Sequence, residues 1–279
     1  MRWPWSERRG WSWSAFTELA ARFGYGARGF VYLSIGALTL FAAMDQIPDA
    51  GSSTEVFQWL ADQPFARVWL LILGGGLWAF VGWRVLQSVF DADHEGTSLK
   101  AWGLRAGQAM SGVFYGVLAA TVFELVDESE PGEIEGADAD QQAATVLGLP
   151  FGEWLLLGVG LGILAMGVGN IIKGAKGDFA GSLACDADTC RKVTPIARAG
   201  YIARGAAYLP LALFVILAGL RAQASEARDF SASLEALEAQ PFGSWILAIT
   251  GVGLMAFGAF AFVEARWRRI RPPRDLKPG

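Results

Sequence analysis

Six apolar stretches of about 20 residues alternate with polar segments along this chain of 279 residues. A helix of about 20 residues is long enough to cross the ~30 Å hydrocarbon core of a bilayer. The pattern therefore predicts an all-α integral membrane protein with six transmembrane helices. The stretches cover about residues 23–44, 65–90, 106–126, 151–172, 199–220 and 242–263.

The polar residues are too few for the alternative of a soluble protein. Charged side chains make up 18% of the chain, against about 25% in ordinary soluble domains. A soluble fold would have to bury six nearly uncharged helices in one core, which their hydropathy disfavours.

The first, third and fifth apolar stretches begin with one shared motif. Such repeats must be recognised before the fold is assigned, because each copy forms one structural unit. The first copy is Arg22-x-Gly24-x-x-x-Arg28-Gly29-x-x-Tyr32. The others are Arg105-x-Gly107-x-x-x-Ser111-Gly112-x-x-Tyr115 and Arg198-x-Gly200-x-x-x-Arg204-Gly205-x-x-Tyr208.

Each following stretch opens with a Pro-Phe pair, at Pro64, Pro150 and Pro241. The chain is therefore three copies of a unit of two helices. Units with two spans all enter the membrane in the same orientation, and parallel repeats are related by an axis along the membrane normal. We expect a six-helix bundle with an approximate threefold axis. The predicted divisions are a Trp/Arg-rich cytoplasmic segment over 1–15, repeats over 16–95, 96–180 and 181–270, and a basic cytoplasmic tail over 271–279.

A short amphipathic segment precedes each Pro-Phe pair. Apolar residues three apart indicate a helix lying on the outer membrane surface, with an irregular loop as the alternative. Thr54, Asp140 and Ser231 are placed to cap these helices. The prolines suit the first position of the helix that follows, where a missing N–H costs nothing.

Small residues at four-residue spacing favour close helix packing in membranes. The pattern occurs at Gly103-x-x-x-Gly107, Gly112-x-x-x-Gly116 and Gly158-x-x-x-Gly162. It indicates either dimerisation between protomers or packing within the bundle, and packing within the bundle is the preferred interpretation.

The distribution of charge predicts the orientation. Seven acids and no Lys or Arg lie within 127–150, whereas bases precede the first span, separate the fourth and fifth, and follow the sixth. Positively charged loops stay inside. We therefore expect a multi-pass protein of a bacterial cytoplasmic (inner) membrane with both termini in the cytoplasm.

This plan resembles the bacterial membrane family catalogued as domain of unknown function 1206 (DUF1206), which consists of repeated pairs of transmembrane helices. The shared features are the Arg/Gly/Tyr motif and the start of the second helix, clearest at Gln240-Pro241-Phe242-Gly243-Ser244-Trp245. The resemblance covers about residues 16–270 and implies a fold but no activity. The middle repeat departs from the pattern, with Ser111 for the second Arg and Gln108 for a Tyr.

The sequence offers little chemistry. The middle parts of the six stretches contain no ionisable residue, which counts against proton-coupled transport. Arg84 and Glu264 lie near span ends, where long side chains reach the interface. No catalytic motif is present, so we predict no enzyme activity and no cofactor. Cys185 and Cys190 are too few ligands for a structural zinc site. They are expected to be ordinary reduced loop thiols, with metal binding or a redox switch as the alternative.

The motif arginines are the candidate site. They are expected at the cytoplasmic boundary, where three interpretations stay open: charge that fixes the topology, binding of lipid phosphates or an acidic partner, and pairing within the bundle. The candidate lipid- or partner-binding residues are Arg22, Arg28, Arg105, Arg198 and Arg204.

The predicted function is that of a non-enzymatic scaffold or interaction partner. Its expected partners are membrane lipids, including anionic ones, and another membrane protein, but not nucleic acid. The alternative is a transporter or channel for a small neutral or lipid-like solute. Such a pathway would run along the axis, lined by Ser34, Thr39, Ser111, Thr121 or Thr250.

Overall fold

The computed structural model describes residues 13–45, 53–61, 63–127 and 139–270. Most of the N-terminal segment predicted over 1–15, the tail over 271–279, and residues 128–138 of the acidic loop lie outside the described residues.

The described residues are almost entirely helical, and the only strand-like feature among them is one bridge between Leu183 and Arg268. Six helices are long and apolar enough to span a membrane. This confirms the predicted all-α fold with six transmembrane helices. The six are α1 (Trp13–Ala43), α3 (Ala66–Val89), α4 (Leu99–Asp127), α6 (Gly152–Lys176), α7 (Ala187–Arg221) and α9 (Gly243–Trp267).

The short helices before the Pro-Phe pairs are also confirmed, as α2 (Ser53–Ala61), α5 (Ala139–Leu147) and α8 (Phe230–Glu238). Their predicted caps are wrong. Asp229 caps α8 by accepting the Ala232 N–H at 2.9 Å. Ser231, Thr54 and Asp140 all lie inside the first turn of their helices, whereas a capping residue must precede the helix with non-helical backbone.

The prolines do not begin the second helix of each repeat, because one more residue intervenes. Phe65, Phe151 and Phe242 occupy the cap position in left-handed backbone, with φ of 64°, 62° and 63°. Left-handed backbone costs a non-glycine residue roughly 1–2 kcal/mol. Its recurrence at the same place in all three repeats marks this turn as a fixed part of the unit.

The six long helices pack in the order α4, α3, α1, α9, α7, α6. First and second helices of the repeats therefore alternate, and each repeat contacts the next. Two repeats also pack tightly within themselves, through α1–α3 and α7–α9. In the middle repeat α4 and α6 barely touch. The order is that of a ring with one weak junction, and the threefold axis remains a prediction.

The two motif glycines serve different interfaces. Gly24 and Gly200 lie within their own repeats, where an added Cβ would come within 2.6 Å of the Cα atoms of Phe80 and Phe257. Gly29 and Gly205 lie between repeats, against the backbone oxygens of Gly258 and Gly167. Each glycine allows the close helix approach that a Cβ would prevent.

The predicted packing role of the four-residue glycine pairs is largely wrong. Nothing lies within 4 Å of a Cβ added at Gly103, Gly107, Gly116 or Gly158. All four belong to α4 or α6, the helices that barely touch. Spacing alone did not reveal that the middle repeat is splayed.

Candidate functional site

Arg28 of α1 and Glu264 of α9 form a buried ion pair between the first and third repeats. Arg28 Nη2 donates to Glu264 Oε2 at 2.7 Å, and each side chain is 2% exposed. Sequence reasoning placed Glu264 as an anchor at the interface, and this is wrong. The glycine contacts of α1 with α9 bring the helices close enough to enclose both groups.

Aromatic rings surround this pair. The Arg28 guanidinium lies 5.3 Å from the ring centres of Tyr25 and Phe80 and 4.8 Å from that of Phe257. Rings at these distances attract a cation, and the attraction grows when water is excluded. Arg28 Nε has no hydrogen-bond partner among the described residues. The guanidinium is therefore held by one carboxylate and three ring faces.

A hydrogen-bonded chain extends the pair to the loop after α3. Arg268 donates to Glu264 Oε1 at 2.5 Å and lies 3.4 Å from Asp93 Oδ2. Gln87 donates to the same Asp93 oxygen at 2.6 Å, and Arg84 donates to Gln87 at 3.0 Å. Arg84, predicted as an interface anchor, therefore belongs to this internal network.

Asp91 fixes the loop that brings Asp93 to Arg268. Its carboxylate accepts the backbone N–H groups of Gly96 at 3.0 Å and Glu95 at 2.8 Å. The bond from Gly96 lowers the pKa of Asp91, because hydrogen bonds to a carboxylate stabilise its charged form. The loop is thus closed by an ionised side chain.

Arg204 lies in the centre of the ring without an acidic partner. It is 7% exposed, and its Nε and Nη2 donate to the hydroxyls of Tyr32 and Tyr208 at 2.8–3.2 Å. The two hydroxyls are 2.8 Å apart. No carboxylate of the described residues forms an ion pair with Arg204.

The third motif tyrosine, Tyr115, is fully buried and packs on Phe80 with ring centres 4.8 Å apart. Its hydroxyl makes no hydrogen bond of ordinary geometry within the part of the chain that the structure describes, but it lies close enough to the Tyr32 hydroxyl to interact with it. The three motif tyrosines therefore meet around Arg204.

Cations outnumber carboxylates in this network, which we call the arginine cluster. Lys173 joins its edge by donating to the Tyr201 hydroxyl at 3.1 Å. An unpaired charge removed from water is costly, so the excess favours an additional anion. The cations are Arg28, Arg84, Lys173, Arg204 and Arg268, and the carboxylates are Asp93 and Glu264.

Comparison of the repeats locates the unbalanced charge. Glu264, the partner of Arg28, corresponds to Lys173 in the middle repeat, counting from Pro241 and Pro150. By that correspondence, Lys173 occupies the position next to the Arg204 repeat that Glu264 occupies next to the Arg28 repeat. The third such pair, Ser111 and Gln87, is neutral. The cationic excess is therefore concentrated where the middle repeat meets the third.

The first arginine of the motif has another use. Arg22 donates to the backbone oxygens of Ala265 and Arg266, both at 2.9 Å, and pairs with Glu18. Arg105 donates in the same way to Ser88 and Val89 at 2.7 and 2.9 Å. Each binds the last carbonyls of a neighbouring helix, where cations are favoured. Arg198 is exposed.

The structure thus separates the five candidate arginines. It brings Arg28 and Arg204 together around Phe257, at 4.8 and 4.6 Å from the ring centre, inside the bundle rather than at its boundary. Sequence reasoning missed Arg268, Glu264 and Asp93 as their neighbours, since these lie in other repeats or loops. The recurring Tyr of the motif was the one available signal for the central tyrosines.

The two cysteines form a disulfide, contrary to the expectation of ordinary thiols. Cys185 and Cys190 are joined in the loop and first turn that begin α7. The same loop is attached to the end of α9, since Ala184 N–H donates to Trp267 O at 2.7 Å. The sequence separation permits this pairing, whereas the reducing cytoplasm expected around this loop disfavours a disulfide. Among the described residues, no group of His, Cys, Asp and Glu is placed to hold a metal.

Three of the five hydroxyls proposed to line a transport pathway are engaged locally. Thr39 and Thr250 donate to Ile35 O and Ile246 O, both at 2.8 Å. Thr121 donates to Val117 O at 3.3 Å. Each of these hydroxyls donates to a backbone carbonyl of its own helix. The centre of the ring is filled by aromatic side chains and Arg204.

The geometry defines a multi-pass helical membrane protein built from three tandem helix pairs around an internal arginine cluster. The chain belongs to the Domain of Unknown Function (DUF1206) family, whose pattern matches residues 23–91, 106–177 and 199–268. It is also 28% identical over 273 residues to the uncharacterized protein YxxB of Bacillus subtilis (strain 168), covering 96% of this chain and 93% of that protein. No solved structure matches it significantly.

Proposed function

We propose that this protein is a non-enzymatic scaffold of the bacterial cytoplasmic membrane that binds the anionic headgroup of a membrane lipid at its arginine cluster. The observation that carries this proposal is Arg204, a buried cation whose side-chain partners among the described residues are tyrosine hydroxyls. A phosphate would supply the charge that the cluster lacks, and guanidinium groups bind phosphates through charge-assisted hydrogen bonds.

The packed centre supports this proposal over the alternative of a transporter or channel. The rings of Tyr32 and Phe257 lie 4.8 Å apart, and Tyr201 lies 5.1 Å from the same Phe257 ring. Side chains packed edge to face leave little width for a solute to pass. A helical scaffold that retains one lipid needs no such passage.

The test is to purify three forms of the protein in mild detergent and to quantify co-purified phosphatidylglycerol and cardiolipin by mass spectrometry. We expect Arg204→Gln to lower the retained anionic lipid about tenfold, since losing a charged hydrogen bond costs about 1.5–3 kcal/mol. Arg198→Gln is the matched control, because it makes the same change on the exposed side of the same helix. Its retained lipid should equal that of the wild type.

Lys173→Gln serves as a second variant in case loss of Arg204 disturbs folding. Lys173 is exposed over much of its length, so its replacement removes one cation of the cluster while leaving the helix packing intact. A matching decrease supports the proposal. Equal lipid in all four forms, or equal losses in Arg204→Gln and Arg198→Gln, contradicts it.

A further inference from the structure

The weak junction between α4 and α6 is a cleft on the outer side of the ring, where the facing residues are partly exposed. In the first and third repeats, the corresponding helix pairs are closed by two buried aromatic side chains each: Phe80 with Trp83, and Phe257 with Phe260. The residues at these positions in the middle repeat are Met166 and Gly169. Met166 is partly exposed and Gly169 is exposed. The middle repeat therefore lacks the side chains that close the other two.

The first helix of the middle repeat shows the same difference. Gly24 and Gly200 touch the backbone of the partner helix, whereas Gly107 has nothing within 4 Å of an added Cβ. Val31 is 1% exposed, but the corresponding Phe114 is 37% exposed. The cleft thus continues along both helices.

Met110 holds the two helices apart. At this position the first repeat has Ala27, whose Cβ lies against Gly76, and the third has Ala203, whose Cβ lies against Gly253. In the middle repeat the end of the longer Met110 side chain lies against Gly162 instead. A methionine in place of alanine adds three heavy atoms between the helices. We call this cleft the α4/α6 seam, and it is lined by Gly107, Met110, Phe114, Gly162, Met166 and Gly169.

Buried polar groups of α4 lie close to the arginine cluster. Tyr115 is on α4, eight residues after Gly107 in the same motif, and its buried hydroxyl faces that of Tyr32 without a hydrogen bond of ordinary geometry. Gln108 Nε2 donates to Asp93 Oδ2 at 3.4 Å, and its buried Oε1 has no partner among the described residues. Arg204 and Tyr208 follow on α7, the neighbour of α6. The helix that forms one side of the seam therefore also carries buried polar groups that reach the arginine cluster.

We propose that the α4/α6 seam holds an acyl chain of an anionic phospholipid whose phosphate lies at Tyr115 and Arg204. This inference rests on the proposed function and adds the route of entry and the place of the chain. Charge selects this occupant: a neutral lipid would leave the buried charge of Arg204 unopposed, and a second protein helix would bring no phosphate. The small and flexible side chains of the seam leave room for a chain of CH₂ groups.

The experiment uses the full-length protein in vesicles of phosphatidylcholine and phosphatidylglycerol that contain a phosphatidylglycerol with a diazirine in its acyl chain. After illumination, crosslinked peptides are mapped by mass spectrometry. We expect the crosslinks to concentrate on the seam residues of α4 and α6. A diazirine phosphatidylcholine should label the seam several-fold less.

Gly107→Leu fills the seam, and Gly82→Leu is its control. Gly82 lies exposed on α3 and, like Gly107, has nothing within 4 Å of an added Cβ. We expect Gly107→Leu to lower the seam crosslinks several-fold and Gly82→Leu to leave them unchanged. Thermal unfolding of both variants identifies any loss of folding, since only a folded Gly107→Leu protein without the crosslinks supports the inference.

Two results would overturn the inference in different ways. Crosslinks spread evenly over all six helices, while retained phosphatidylglycerol still depends on Arg204, would exclude the seam but leave the proposed function intact. Seam crosslinks that are equal for both headgroups and unaffected by Arg204→Gln would exclude the anionic headgroup, and the proposed function with it.

Discussion

Arg28 and Glu264 depend on each other in a way that exposed ion pairs do not. Both side chains are 2% exposed, so each has lost its hydration and keeps its charge only because its partner is present. Removing one partner of a buried pair leaves an uncompensated charge, which costs about 3–5 kcal/mol. An exposed pair is worth about 0–1 kcal/mol.

Glu264→Gln should therefore strongly destabilise the protein. Because Arg28 loses its only carboxylate among the described residues and Arg268 keeps only Asp93, we expect a loss of about 3–5 kcal/mol, measured as a lower midpoint of unfolding in sodium dodecyl sulfate. Glu18→Gln is the matched control, since Glu18 pairs with Arg22 with 46% of its side chain exposed. Similar midpoints for the two variants would contradict a structural role for the buried pair.

The residues of this pair were visible in the sequence, but their partnership was not. Arg28 was a candidate because it recurs as Arg204, whereas Glu264 has Gln87 and Lys173 as its counterparts and so does not recur. A contact between residues 236 positions apart depends on which helix of one repeat packs on which helix of another. The repeats reveal the residues that the three units share, whereas this site depends on Glu264, which the other two units lack.

At the scale of the helices, the same motif glycine has different surroundings in different repeats. A Cβ at Gly24 would lie 2.6 Å from Phe80 Cα, which is backbone and cannot move aside. At Gly107 the space is open. One substitution therefore distinguishes a closed helix pair from an open one.

Gly24→Ala should separate α1 from α3 and destabilise the protein by roughly 1–3 kcal/mol, the usual cost of overpacking. Gly107→Ala should be neutral or slightly stabilising, because alanine has the higher helix propensity. Thermal unfolding in detergent measures both changes. If Gly107→Ala is as damaging as Gly24→Ala, the middle repeat is closed like the others and no seam exists.

The sequence predicted each helix to within a few residues where the apolar run was its only determinant, as for α3, α6 and α9. It underestimated α7, which begins at Ala187 rather than near residue 199, because the first turns of that helix extend beyond the apolar run. It also placed Pro64 inside α3 instead of in the turn before it. Left-handed Phe65 could not be foreseen, since the intrinsic backbone preference of a non-glycine residue disfavours that conformation.

For the whole molecule, the orientation in the membrane is still a prediction from the distribution of charge. It places the disulfide-bonded Cys185–Cys190 loop in the cytoplasm, where thiols are normally reduced. The structure therefore contains a disulfide at a place where the predicted orientation would favour reduced thiols. Labelling in intact cells can test the bond and the side together.

We expect Cys185 and Cys190 to react with a membrane-permeant maleimide only after reduction, because the structure joins them. A permeant reductant should be required, because the predicted orientation places the loop inside. Labelling without any reductant would contradict the bond in the cell. Labelling after an impermeant reductant would contradict the orientation. Cys185→Ser, which leaves Cys190 free, is the positive control for labelling.

The single seam has a consequence for how such a protein can arise. Three identical hairpins assembled as separate chains would share every substitution, so they would form either three openings or none. Tandem fusion in one gene frees each copy to diverge on its own. Met110, Met166 and Gly169 could then change in the middle copy while Ala27 and Phe80, or Ala203 and Phe257, kept the other two closed. Gene duplication followed by unequal drift can thus give an assembly of three similar repeats one open helix pair.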